Sequence, residues 1–256
     1  MNRCDKFHEK DEWEQKKMSY NIAIDGPAGA GKSTIAKRIA KELSFIYVDT
    51  GAMYRAMGLY MHRKGIAGTD IEAIKAELDH VDITISYVNG EQQVFLNGEN
   101  VTAFLREEQA GLMASAVGTI AEVRAKLVAL QQKMAETEDV IMDGRDIGTV
   151  VLPKATAKIY LTASSRERAR RRFEELKAKD VPCDIDEIEK DIIARDYQDM
   201  NRAASPLKQA EDAVLVDCSD MGIEEVVNTI IGIFKEKAEE NEKIELRQDL
   251  TETIKE

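Results

Sequence analysis

The sequence predicts an α/β fold, a central parallel sheet between helices with a small antiparallel insertion. Three observations predict it. Short apolar runs alternate with stretches of helical periodicity along most of the 256 residues, the pattern of a parallel sheet with helical crossovers. A glycine-rich loop joins the first apolar run to the first helical stretch, Asp25-Gly26-Pro27-Ala28-Gly29-Ala30-Gly31-Lys32-Ser33-Thr34. One region, residues 80–104, breaks the alternation with two Asn-Gly turns.

Five buried strands are expected, at Asn21–Asp25, Phe45–Asp49, Val140–Asp143, Lys158–Leu161 and Val214–Asp217. A helix over Lys32–Leu43 follows from Ile35, Ile39 and Leu43, which recur every four residues. In the insertion, Ile83, Ile85 and Tyr87 alternate before Asn89-Gly90. Val94 and Leu96 lie between that turn and Asn97-Gly98, so two hairpin turns are predicted. Helical material follows from about Glu107 to Glu136.

Composition excludes several function classes. A hydrophobic content of 43% supports a real core, and no apolar run approaches the length of a membrane span. Net charge of −12 argues against a general nucleic-acid binder. The charged first twenty residues lack the apolar stretch of a signal peptide. Cys4, Cys183 and Cys218 are scattered without metal spacing, so a reduced, cytoplasmic protein is expected. His8, His62 and His80 form no metal-like grouping, and Trp13 lies in the N-terminal extension. Five arginines crowd Arg166–Arg172, which in an acidic chain points either to a localised anion or to a solvated helix face.

The glycine-rich loop fits G-x-x-x-x-G-K-[ST] between a strand and a helix. Its glycines let backbone N–H groups turn toward phosphate oxygens, and the helix N-terminus adds partial positive charge. Lys32 is placed to reach the β- and γ-phosphates, and Ser33 to ligate Mg²⁺. The [NT]-K-x-D guanine signature of GTPases is absent, and the chain is short for the accessory domains of most motors. Both points favour a small-molecule kinase.

Six separated motifs then agree in order over roughly residues 20–235: "DGPAGAGKST", "DTGAMYR", "MASAVGTIAEVR", "DGRDIGTVVLP", "ASSRERARRR" and "RDYQDMNRAASPL". In these the chain resembles the bacterial cytidylate kinase family of nucleoside monophosphate kinases. The resemblance implies a P-loop NTPase-type three-layer fold with a central five-stranded parallel sheet. It also implies a monophosphate-binding insertion containing a small antiparallel sheet, and a helical lid. It further implies that Thr50, Tyr54 and Arg55 line a CMP site, with Arg55 on the acceptor phosphate together with Arg145 and Arg202. Ser115, Arg124 and Asp146 would read the base, and Arg195 and Asp199 would hold the ribose. Arg166–Arg172 would begin a lid closing over ATP, with mobile arginines, Arg168 and Arg171, neutralising charge beside Lys32. The expected partners are ATP with Mg²⁺ and CMP or dCMP, the expected state a monomer. A kinase for another acceptor such as UMP or AMP is the alternative enzyme, and a nucleotide-binding switch the alternative without turnover.

Two geometric expectations follow from spacing. Arg195, Asp199 and Arg202, at i, i+4 and i+7, share one face of a continuous helix; a salt-bridge ladder would use the same spacing. Ser115 and Arg124, nine residues apart, face one ligand only if the helix breaks between them, with a turn or kink predicted near Gly118–Ala121. Asp143 can position either a Mg²⁺-bound water or the site arginines. The expected organisation is an extension over 1–18, with Met18 a candidate start that an intact mass checks. A kinase domain over 19–235 and a charged tail over 236–256 follow. Within the domain the core takes 19–62, 138–165 and 205–235, the insertion about 63–137 and the lid about 166–195.

Overall fold

The structure, a computed structural model, describes residues 19–253. The expected extension, with His8 and Trp13, therefore lies outside the described residues. Five strands form the central sheet: β1 (Asn21–Asp25), β2 (Ile46–Asp49), β6 (Val140–Gly144), β7 (Ala157–Thr162) and β8 (Val214–Asp217). They run parallel in the order β2-β6-β1-β7-β8, so from central β1 the chain goes to the edge at β2, returns to β6, then crosses to β7 and β8 on the other side. Each expected strand is present, with ends shifted by a residue at most.

One face of the sheet is covered by α1 (Lys32–Leu43) and α8 (Ile223–Thr253). Ile22, Ile24, Ile159 and Leu161 pack there against Ile35, Ile39, Val227 and Ile230. The opposite face carries Ala23, Val48 and Met142, packed with Ala135 of α5 (Ala121–Thr137) and with the turn Ile147–Val151. The face a strand residue joins follows its odd or even place, as the two-residue period requires. Helix α8 runs without a break through position 236, where the sequence suggested a core-to-tail boundary.

The insertion has its own core. Strands β3 (Ile83–Val88), β4 (Glu91–Leu96) and β5 (Glu99–Asn100) form an antiparallel sheet. Asn89 and Gly90 have φ of 54° and 78°, and Asn97 and Gly98 have 49° and 83°, the left-handed pairs that tight hairpins need. Ile83, Val94 and Leu96 pack against Met53, Met57 and Met61 of α2 (Thr50–Arg63) and against Leu127 of α5. The helix α3 (Ile71–Glu77) precedes this sheet, and α4 (Glu108–Val117) follows it across α2. The lid region holds α6 (Ser165–Lys177) and α7 (Ile185–Asn201), so α7 extends six residues past the expected limit at 195.

Candidate active site

The loop between β1 and α1 must turn sharply, and Gly26 makes the first turn. Its φ is 149°, and a Cβ there would stand 1.9 Å from the Leu161 carbonyl oxygen. No side chain fits. Lys32 is buried and donates to the carbonyls of Gly26, at 2.8 Å, and Pro27, at 2.7 Å. Burial, then the nearby Arg145, pushes the Lys32 pKa down, while Asp143 and Asp25 oppose that shift. Ala28, Gly29, Gly31, Lys32, Ser33 and Thr34 line an open cleft of about 590 Å³. Gly26, Pro27 and Ala30 stand behind that lining; the Ala30 carbonyl accepts from Cys218 Sγ at 3.5 Å.

Ser33 Oγ donates to Asp143 Oδ2 at 2.9 Å, and Tyr47 donates to Asp143 Oδ1 at 2.7 Å. Burial, then Asp49, holds the Asp143 carboxyl above its ordinary range, with Lys32 opposing. Asp143 thus stands beside the loop hydroxyl. Among the described residues no arginine is paired with it. Serine hydroxyl and carboxylate make an oxygen donor set, the chemistry that suits Mg²⁺ held together with substrate phosphates.

Across the cleft, Asp49 ends β2 and caps α2 by accepting from Ala52 N at 2.9 Å. Its second oxygen pairs with Arg55 at 2.8 Å. Thr50 Oγ1 donates to the Asp143 carbonyl at 2.7 Å, tying α2 to β6. Arg124 pairs with Asp146, donates to Ser205 Oγ at 3.0 Å, and lies 5.5 Å from the Tyr54 ring centre. Burial pushes the Tyr54 hydroxyl up to about 12. Ser115 and Arg124 both line the cleft because α4 ends at Val117 and α5 begins at Ala121. The break falls where the spacing required it.

Arg202 departs from expectation. Helix α7 stops at Asn201, and Arg202 has extended backbone at φ −65°, ψ 143°, so it does not continue the face of Arg195 and Asp199. Leu207 N donates to the Asp199 carbonyl at 2.9 Å and Arg202 Nε to the Ser205 carbonyl at 2.6 Å, closing the turn before α7 can lengthen. All three still line the cleft. No ladder forms between them: Asp199 accepts from Arg145 Nε at 2.7 Å. The Arg195 side chain has no hydrogen bond or ion pair among the described residues. Desolvation, then the charges of Arg145 and Arg55, pushes its pKa down. Arg202 keeps one buried nitrogen, Nη2, without a hydrogen-bond partner, 3.7 Å from Asp146.

The lid arginines are each held here by ion pairs and hydrogen bonds. Arg168 is buried, on Asp196 at 2.7 Å and on the Ala28 carbonyl at 3.0 Å. Arg171 is held by Glu167 and by the Cys218 carbonyl, each at 2.8 Å. Arg172 pairs with Glu175 at 2.8 Å. These three arginines line the cleft beside the loop.

The profile of the cytidylate kinase family matches residues 22–236. The chain belongs to the cytidylate kinase family. A relative named cytidylate kinase from Caldicellulosiruptor saccharolyticus is 51% identical over 214 residues, 84% of this chain and 95% of its own. Another of that name, from Shouchella clausii, is 47% identical over 217 residues, 85% of this chain and 96% of its own. One from Streptococcus pneumoniae is 51% identical over 211 residues, 82% of this chain and 94% of its own.

Some supporting residues of this kinase-family site carried no sequence signal. Gln92 lies in a hairpin, yet its Oε1 accepts from Asp49 N at 2.7 Å and so holds the strand end that carries the α2 cap. Asp25 carried a partial one, as the polar end of an apolar strand just ahead of the loop pattern. Its two oxygens accept from Ile147 N and Gly148 N, each at 2.7 Å, fixing the turn that follows Arg145 and Asp146. Among the described residues, no helix is long and apolar enough to cross a membrane.

Proposed function

We propose that the protein transfers the γ-phosphoryl group of ATP to CMP or dCMP, giving ADP and CDP or dCDP. One observation carries this reading. A single cleft joins a phosphate loop at one end to an arginine-rich pocket with a buried Arg124–Asp146 pair at the other, in a chain of the cytidylate kinase family. The relatives matched over most of this chain are named for that activity.

Phosphoryl transfer needs in-line positioning and charge stabilisation more than covalent help from the protein. An oxygen of the CMP phosphate forms the new bond to phosphorus, and the bond to the β–γ bridging oxygen breaks, leaving with ADP. That acceptor oxygen is ionised at neutral pH, so no strong general base is required. Backbone N–H groups of Gly29 to Thr34 hold the donor phosphates, and Lys32 leaves its loop carbonyls to meet the β- and γ-oxygens. Phosphate charge beside Lys32 opposes the burial that lowers its pKa and favours the ammonium. Ser33, with Asp143 behind it, would hold Mg²⁺; bound there, the ion neutralises charge on the donor phosphates. Arg55, Arg145 and Arg202 hold the acceptor phosphate, and Arg195 with Asp199 the ribose. Ser115, Arg124 and Asp146 read the cytosine edge, with Tyr54 beneath Arg124. Arg168 and Arg171 flank the donor loop and exclude water from it.

A coupled ADP-release assay across the common nucleoside monophosphates tests this. Turnover is expected with CMP and dCMP. Turnover with UMP or AMP alone would overturn the acceptor assignment, and none with any acceptor would favour a nucleotide-binding switch.

A further inference from the structure

Helix α7 touches both halves of the cleft from different sides. Arg195 and Asp199 point one way, into the acceptor half, where Asp199 holds Arg145. Asp196 lies about 100° around the helix from Arg195 and does not line the cleft. Its Oδ2 pairs with Arg168 at 2.7 Å, and that pair is nearly shut off from water, with side chains 14% and 6% exposed. The Arg168 guanidinium has two other attachments. Nε donates to the Ala163 carbonyl at 2.9 Å, at the end of β7, and Nη1 to the Ala28 carbonyl at 3.0 Å, inside the phosphate loop. The Arg168 stem lies 3.5–4.0 Å from where a Cβ on Gly29 would be, so it packs along the same loop. An unbroken chain of contacts therefore runs from Asp199 through one turn of α7 to Asp196, Arg168 and Ala28.

We infer that Asp196 is a positioning residue that couples the two nucleotide sites, by fixing through Arg168 where α7 stands relative to the phosphate loop. The inference rests on the acceptor reading of Arg195 and Asp199 given above. A monophosphate that draws those two side chains in moves α7 as a rigid element. The buried ion pair carries that movement to Arg168, because separating it would strand a desolvated charge. Arg168 in turn sets the orientation of the Ala28 carbonyl and the packing at Gly29, which shape the seat of the donor phosphates. Coupling of this type is reciprocal: a donor that stiffens the loop tightens the acceptor site by the same factor. Asp196 Oδ1 is buried with no hydrogen-bond partner. Only one carboxylate oxygen is engaged, so the tie behaves as a single link and not a bidentate clamp.

The test is calorimetric. CMP binding is measured with and without saturating Mg²⁺ and a non-hydrolysable ATP analogue, for the wild type, Asp196→Ala and Asp196→Asn. In the wild type the analogue is expected to tighten CMP by roughly 5-fold or more. In Asp196→Ala, CMP alone binds within about twofold of wild type, while the tightening by the analogue falls to near onefold. Asp196→Asn keeps the shape and one acceptor for Arg168, and retains an intermediate part of the effect. A residue that only stabilised the lid would leave this ratio unchanged, so equal coupling in the wild type and Asp196→Ala overturns the inference, as does an uncoupled wild type. A thermal melt of each variant shows whether it is folded; should Asp196→Ala unfold, Asp196→Asn alone decides, and wild-type coupling in it overturns the inference. A wild type that does not bind CMP at all would overturn the acceptor assignment, and this inference with it. Lost coupling in a protein that still binds CMP supports both.

Discussion

The donor half of the cleft is built from ten consecutive residues, whereas the acceptor half is assembled from at least five separated segments. In the donor half, the loop is its own scaffold: Gly26 and Pro27 carbonyls hold Lys32, and the adjoining strand and helix fix the ends. In the acceptor half, several side chains are held by residues far along the chain. Arg124 is held by Asp146 and Ser205, Arg145 by Asp199, and the α2 cap by Gln92. Local construction ties a site to the rest of the fold at few points, such as Arg168 on Ala28 and Asp143 on Ser33. Distributed construction lets a site respond when distant elements move, at the cost of many places where it can fail.

The largest expected effect breaks the donor half at its own centre. Lys32→Ala removes the cation that meets the donor phosphates, and kcat should fall by about 10²–10³-fold. CMP affinity measured by calorimetry should stay within about twofold, because the Lys32 side chain is bonded, among the described residues, only within its own loop. A CMP affinity that fell along with kcat would mean that the two halves are not built independently.

Arg202→Ala breaks the acceptor half in the opposite sense. Arg202 lines the cleft, and its buried Nη2 has no hydrogen-bond partner and stands 3.7 Å from Asp146. A charge-assisted hydrogen bond is worth about 1.5–3 kcal/mol, so KM for CMP should rise roughly 10–100-fold. KM for ATP should hold steady in the same steady-state experiment. An equal rise in both would place Arg202 between the nucleotides and not on the acceptor.

The same contrast explains how much of the site was legible beforehand. The loop, its strand and its helix could be read from local pattern, because each rule there acts over a few residues. The hairpins at Asn89-Gly90 and Asn97-Gly98 were legible for the same reason. The break between Ser115 and Arg124 was recovered by requiring two residues to face one ligand. Arg202 shows where spacing stops being informative. Periodicity placed it on the α7 face, but the hydrogen bonds of Leu207 and Ser205 end the helix one residue before it. Gln92 and Asp196 were not legible at all. Each acts through a partner in another segment, and nothing local distinguishes such a glutamine or aspartate from a solvated one.

The smallest effect concerns Asp25, the residue that belongs to both halves. It opens the donor loop in sequence, yet its carboxylate holds the Ile147 and Gly148 amides behind Arg145 and Asp146. Burial is the main influence on it and raises its pKa from 3.8 to about 6, although both amide hydrogen bonds pull the other way. The folded protein thus binds this proton more tightly than the unfolded chain does. The stability this group contributes is full below about pH 4 and is lost as pH rises through about 6. Asp25→Asn has no proton to exchange, so the Tm advantage of the wild type over this variant should shrink between about pH 4 and pH 7. The change is about 2 kcal/mol, roughly 4–8 °C. An advantage that instead grew with pH would mean that the two amides outweigh burial. The carboxylate would then stabilise the acceptor turn as an anion, and the donor loop would be a working part of the acceptor half.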